Sequence, residues 1–246
     1  MVTRPAHQAA HLCELISAAG GIPILLPTVA VENPPDPAPA LSIVQRLHEF
    51  DIAVFVSANA VEKGIALVTR HGGLPPRLRL AAVGRRTAES LLHHCGRVDI
   101  QAPPPYNSEA LLATAELQAV AGKRIVIFRG VGGRELLAET LRRRGAEIDY
   151  AEVYRRVKPV VKLDDIVPRT GKIDIVMVTS QDGLQNLVEM ADMEQRREWL
   201  LNLQLVVISP RVAQLAAGLG FKHPALTAAH ASDEAVVAAC GTYSKT

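Results

Sequence analysis

Aromatic side chains are scarce in this 246-residue chain, 4% of the total with a single tryptophan, so aliphatic residues must build the core. Cysteine is scarcer still. Cys13, Cys95 and Cys240 stand apart with no C-x-x-C spacing, which excludes a disulfide framework and a cysteine-based zinc site and suits a reducing compartment. No block of five or six like charges occurs, and a net charge of +2 is too small for a nucleic-acid surface. No window approaches the roughly 18 apolar residues of a membrane span, and the N-terminus has no signal-type apolar core. A cytoplasmic protein with neither membrane nor nucleic acid as partner is expected. Catalytic constellations are missing too. The eight histidines form no Ser–His–Asp set, and His7 and His11 share a helix face without an H-E-x-x-H pattern or a third ligand. Paired catalytic carboxylates are not visible.

What is present is alternation. Short apolar runs at 22–26, 52–56, 80–83, 124–128, 147–154, 173–178 and 204–208 read as strands. Amphipathic stretches at 8–19, 60–70, 86–94, 108–119, 133–144, 182–191 and 210–218 read as helices between them, with Gly20, Gly145 and Gly218 as C-caps. Strands unbroken by polar alternation belong to parallel sheets covered on both faces, so the class is doubly wound α/β. Met1–Pro5 resembles the end of a strand, either a very short one or one whose true start lies upstream. The proline-rich 33–39 reads as an extended connector, and 158–170 as another.

The chain also repeats itself. Arg129 follows Arg4 by 125 positions, and Gly145 follows Gly20 by the same interval. "DIAVFVSANAVEKGI" from 51 matches "DIVMVTSQDGLQNLV" from 174, and "LAAVGRRTAESL" from 80 matches "LVVISPRVAQLA" from 205. Three matches at nearly one offset predict two similar subdomains. The repeat by itself suggests halves 1–120 and 121–246, whereas the connectors suggest a chain that leaves one domain near 33 and returns near 160.

In open parallel α/β sheets ligands bind outside the carboxyl ends of the strands. The segments there are Thr3-Arg4-Pro5, Ser57-Ala58-Asn59, Gly84-Arg85-Arg86-Thr87, Arg129 to Arg134, Thr179-Ser180-Gln181 and Ser209-Pro210-Arg211. Each is rich in Ser, Thr, Gly or Arg and opens a helix, whose free N–H groups and positive dipole end receive anionic oxygens. The set predicts a polyanion site, with Ser57, Ser180 and Ser209 serving also as N-caps. The loop "RGVGGRE" fails as a dinucleotide fingerprint because Glu135 stands in the third glycine's place, and it lacks the G-K-[ST] of a phosphate loop. A carboxylate-binding nest flanked by Arg129 and Arg134 suits it better. Segment 121–158 carries ten Lys/Arg against five acids, Arg142–Arg144 complementing a helix dipole and Arg155, Arg156 and Lys158 flanking a connector where they can face a ligand.

Taken in order, "VTRP" (2–5), "FVSANAV" (55–61), "AVGRRTAESL" (82–91), "NSEALL" (107–112), "GKRIVIFRGVGGRELLAETLRRRGAEIDYAEVYRR" (122–156), "VTSQDGLQNL" (178–187), "VISPRVAQLAAGLGF" (207–221) and "ASDEAVVAA" (231–239) resemble the uroporphyrinogen-III synthase family. A departure occurs at 209–213, where Ser-Pro-Arg-Val-Ala replaces Gly-x-x-Thr-Ala and removes a threonine at 212. The resemblance implies two flavodoxin-like domains, 1–33 plus 160–246 and 36–155, joined by a two-stranded connector near 30–38 and 152–162, with the active site in a cleft between them. It implies no cofactor, a monomer, a linear tetrapyrrole substrate and transient contact with the deaminase that supplies it.

That substrate is hydroxymethylbilane, which carries eight carboxylates. Loss of its hydroxyl leaves an azafulvene cation that the terminal pyrrole attacks at its substituted carbon; the spiro intermediate then breaks and recombines with ring D inverted. Such an enzyme chiefly folds its substrate and excludes the competing closure, so the lack of a strong nucleophile is expected. By position Tyr154 matches the family's tyrosine and is the candidate proton donor, since a phenol of pKa about 10 keeps its proton at neutral pH. Candidate substrate contacts are Arg4, Ser57, Asn59, Gly84, Thr87, Ser108, Arg129, Gly130, Gly132, Gly133, Thr179, Ser180, Ser209 and Arg211. The rival reading is a non-catalytic two-domain protein that binds a small polyanion.

Overall fold

The computed structural model describes residues 1–163, 165–166 and 172–243. Part of the expected 158–170 connector therefore lies outside the described residues. The chain divides into two compact units, Met1–Ala30 with Val157–Thr246, and Val31–Arg156.

In the second unit a sheet runs in the order β4-β3-β2-β5-β6-β1, with β1 Ala30–Glu32, β2 Ile52–Phe55, β3 Arg79–Ala82, β4 Ile100–Gln101, β5 Arg124–Gly130 and β6 Glu147–Val157. β2 is parallel to both β3 and β5, β3 to β4 and β5 to β6. The two-residue period of a strand sends its side chains to opposite faces. Ala53, Phe55, Leu80, Ala82, Val126 and Phe128 pack under helices Ala38–Gln45, Ala58–Arg70 and Arg85–Cys95. Ile52, Val54, Ala81, Ile125 and Ile127 pack under Ser108–Leu112, Ala115–Gln118 and Leu136–Arg143. Every residue of β2 is buried, which is why its sequence reads as an unbroken apolar run.

In the first unit β7 Ile175–Val178, β8 Gln204–Val207 and β9 Leu226–Thr227 are parallel neighbours in that order. Val2 adds parallel bridges to Met177 on one side and Leu25 on the other. Val176, Val178, Leu205 and Val207 face helices Gln181–Met193 and Pro210–Leu219, while Met177 and Val206 face helices Ala10–Ala18 and Asp233–Gly241.

Chain order separates the units although strand neighbours match. Reading across the first unit gives Leu25, Val2, β7, β8, β9, which is 2-1-3-4-5 in chain order. The second gives β6, β5, β2, β3, β4, which is 5-4-1-2-3. A flavodoxin order is 2-1-3-4-5, so the second unit departs from it. Its chain enters at the strand equivalent to β7 and supplies the two strands equivalent to Val2 and Leu25 last. The repeat interval of 123–125 residues follows from this: each half of the sequence holds one full set of five strands, shared between two units.

Several local expectations are corrected. The prolines of 33–39 do not keep the chain extended throughout, because a helix starts at Ala38 with proline in its first turn, where no N–H is needed. The stretch 108–119 breaks into two short helices at Ala113–Thr114. Helix Leu136–Arg143 starts later than 133, because Gly132 (φ 71°) and Gly133 (φ 117°) adopt left-handed backbone outside a right-handed helix. Gly218 lies within its helix, and Gly220 at φ 95° makes the C-cap instead. Strands β1, β4 and β9 and helices Ala38–Gln45, Arg197–Leu201 and Asp233–Gly241 carry too few periodic residues to have been read as elements.

Candidate active site

Parallel pairing puts the ends of β2, β3, β5 and β6 at one edge of the second unit's sheet. There Ser57 caps helix Ala58–Arg70, its Oγ accepting from the Ala60 N–H at 3.1 Å. The same Oγ lies 3.0 Å from the Tyr154 hydroxyl. Tyr154 is 4% exposed, and its ring packs over Gly130, its partner in the β5–β6 register. A Cβ on Gly130 would lie 2.8 Å from two ring carbons, so close approach requires glycine there. Asn59 and Thr87 are buried beside these ends, and Gly84 occupies the N-cap of helix Arg85–Cys95 without a side-chain bond. Ser108 opens its helix, but the cap is Asn107, whose Oδ1 accepts from Ala110 N–H at 2.8 Å.

Arg129 turns inward. Its Nε donates to the Gly132 carbonyl at 2.9 Å and its Nη1 to Glu135 at 2.9 Å, with the side chain 6% exposed. The guanidinium also lies 4.6 Å from the Tyr150 ring centroid, and the Tyr150 hydroxyl donates to Glu135. Gly132 N–H is taken by Glu152 at 3.2 Å. The expected carboxylate nest is thus filled by the protein's own acids, and the φ of 117° at Gly133 lies in the left-handed region that favours glycine. Hydrogen bonds from Tyr150 and then Arg129 hold the Glu135 carboxyl below its usual range. Burial, then Glu135, pushes the Tyr150 phenol up.

The first unit has the same edge with other contents. Arg4 is 7% exposed on its side chain and donates to Asp233, itself 8% exposed. Asp233 also engages His11 Nδ1 at 3.0 Å. Arg4 is therefore committed to an internal pair, as Arg129 is. Ser180 caps helix Gln181–Met193 by accepting from Gly183 N–H at 3.0 Å, with Thr179 before it. Ser209 corrects its expected role: it holds the N-cap position without a side-chain bond, because its carbonyl receives both Val212 and Ala213 N–H. Arg211 is exposed on the first turn of that helix.

Arg155 and Lys158 make partly exposed ion pairs with Glu32 and Glu189 at 2.9 and 2.8 Å. Arg144 caps two helix ends by donating to the Leu112 and Leu117 carbonyls. Sequence reasoning missed Glu135, Tyr150, Asp233 and His11. For Glu135 the signal was the misfit itself, an acid six residues after an arginine across two glycines.

The chain matches the family model described as uroporphyrinogen-III synthase HemD over residues 10–238. It is 35% identical over 226 residues to the uroporphyrinogen-III synthase of Salmonella typhimurium, covering 90% of this chain and 92% of that protein. The chain belongs to the uroporphyrinogen-III synthase family. It is accordingly a lyase of tetrapyrrole biosynthesis that makes uroporphyrinogen III. The uroporphyrinogen-III synthase of Escherichia coli is 33% identical over 228 residues, with 90% and 92% coverage. A mutant uroporphyrinogen III synthase from Thermus thermophilus shares the fold, with a TM-score of 0.61 at 17% identity over 98% of this chain and 94% of that one. Among the described residues no helix is long and apolar enough to cross a membrane.

Proposed function

We propose that this synthase works on hydroxymethylbilane with Tyr154 as the proton donor, the strand ends of each unit receiving substrate carboxylates. The observation that carries the donor assignment is the contrast between two phenols. Tyr150 donates to the carboxylate Glu135, and burial with that charge holds its proton. Tyr154 lies against a neutral hydroxyl, Ser57, at the carboxyl edge of the sheet. In the step proposed, the Tyr154 O–H proton passes to the substrate's hydroxyl, the carbon–oxygen bond breaks with its electron pair on oxygen, and water leaves. The terminal pyrrole's attack, fragmentation and recombination follow, and the proton released as that pyrrole regains aromaticity restores the phenol.

Carboxylate binding falls to helix N-termini and to hydroxyls at Thr87, Thr179, Ser180 and Ser209, with Arg211 as an exposed cation on the first turn of its helix. Arg4 and Arg129 shape their loops. The two units are read as flavodoxin-like domains, the second in permuted chain order, joined by β1 and β6. The protein is taken as a cytoplasmic monomer that needs no cofactor and meets its upstream deaminase only transiently.

Freshly generated hydroxymethylbilane incubated with the purified protein, without metal or nucleotide, should yield mainly uroporphyrin III after oxidation. Uroporphyrin I alone, at the spontaneous rate and from folded protein, would contradict the reading and leave polyanion binding without catalysis.

A further inference from the structure

We infer that Ser57 is a positioning residue that orients the Tyr154 proton, an inference that rests on Tyr154 being the acid. A hydroxyl has one proton and two lone pairs. One lone pair of Ser57 Oγ is used by Ala60 N–H at 3.1 Å, at the first turn of a thirteen-residue helix. One lone pair and the proton remain, so at 3.0 Å either hydroxyl can donate, and the direction inferred is from the Ser57 O–H to the Tyr154 oxygen. Tyr154 then receives a hydrogen bond instead of donating one, and its own proton is free for the departing hydroxyl.

The chain Ala60 N–H to Ser57 O–H to Tyr154 O–H runs in one direction, and each bond polarises the next. It starts at the positive end of the helix, so negative charge developing on the phenol oxygen is favoured. Packing fixes the other end: the ring lies against Gly130, and the Tyr154 carbonyl accepts from Val131 N–H at 2.8 Å.

Capping alone does not account for this arrangement. Ser180, the repeat equivalent of Ser57, takes the same bond from Gly183 at 3.0 Å. Tyr154 minus the 125-residue interval falls on Val29, which has no hydroxyl. A Cβ on Gly183 would find Thr28 Oγ1 at 3.2 Å and Val29 Cγ2 at 4.0 Å, so the Val29 side chain does approach this cap. The two serines share a structural role, and only Ser57 meets a phenol.

The test is a double-mutant cycle on turnover. Ser57→Ala should lower kcat about tenfold with KM little changed, the size of a lost hydrogen bond to a developing charge. Ser57→Thr, which keeps both the oxygen and the cap, should restore most of it and guards against a folding defect in the alanine variant. In a Tyr154→Phe background Ser57→Ala should have no further effect on kcat. An equal loss with and without the phenol would show that Ser57 acts directly on substrate or through the helix, and would overturn the inference while leaving Tyr154 as acid. No loss on Ser57→Ala would overturn it likewise. If Tyr154→Phe alone left kcat unchanged, the acid assignment would fall first and this inference with it.

Discussion

The two units carry the same strand neighbours and opposite chemical commitments. In the first, Arg4 is sealed against a buried Asp233; in the second, Arg129 meets a half-exposed Glu135. Ser180 and Ser57 cap equivalent helices, yet Val29 occupies the place where the other unit has Tyr154. The repeat thus gives two scaffolds of strand ends, and under the proposed function Tyr154 marks the reacting edge where the other unit has Val29. The arginines that look like anion readers in both copies each pair with a carboxylate of their own unit, as a buried guanidinium needs.

Several substitutions would break or sharpen this comparison. Arg4→Ala takes the guanidinium from the buried Asp233, which keeps His11, and should cost about 3 kcal/mol by chemical denaturation. Arg129→Ala should cost less, since Glu135 is 48% exposed and solvent screens it. Equal losses would erase the contrast between the units. Gly130→Ala places a Cβ 2.8 Å from the Tyr154 ring, and should lower kcat on the order of tenfold to a hundredfold by displacing the phenol. Loss of thermal stability without loss of kcat would separate Gly130 from the reaction. Asn107→Ala removes a helix cap and should cost about 1 kcal/mol with turnover unchanged, whereas Ser108→Ala should cost less.

The smallest effect is one of pH. Because the folded Glu135 carboxyl is depressed by Tyr150 and Arg129, its contribution to the loop is complete above the ordinary carboxylate value of roughly 4.3 and is lost as pH falls through the lower folded value. Protection factors of the 130–135 amides, corrected for intrinsic exchange, should fall over that acid window in the native protein, and Glu135→Gln should show no such window.

Much of the fold was legible, for reasons these residues show. The runs at 52–56, 124–128, 173–178 and 204–208 are buried on both faces, so hydrophobicity alone marks them. Two-residue strands such as β4 and β9 offer no period to read. The permuted chain order of the second unit escaped because a repeat reports equivalence between segments and says nothing of which copies pack together. At the candidate site Ser57 and Ser180 were legible as caps from Ser followed by a helical run. The pairing of Arg4 with Asp233 and of Arg129 with Glu135 was not legible, because it is set by tertiary contact and by a glycine turn that no spacing rule describes.

The central claim is that the reacting group belongs to the second unit and is the Tyr154 hydroxyl. Steady-state kinetics of Tyr154→Phe, on protein matched to wild type in thermal stability, tests it directly. The account predicts a fall in kcat of about a hundredfold or more with KM nearly constant, as loss of a general acid requires. A variant that forms uroporphyrinogen III at the wild-type kcat would contradict it.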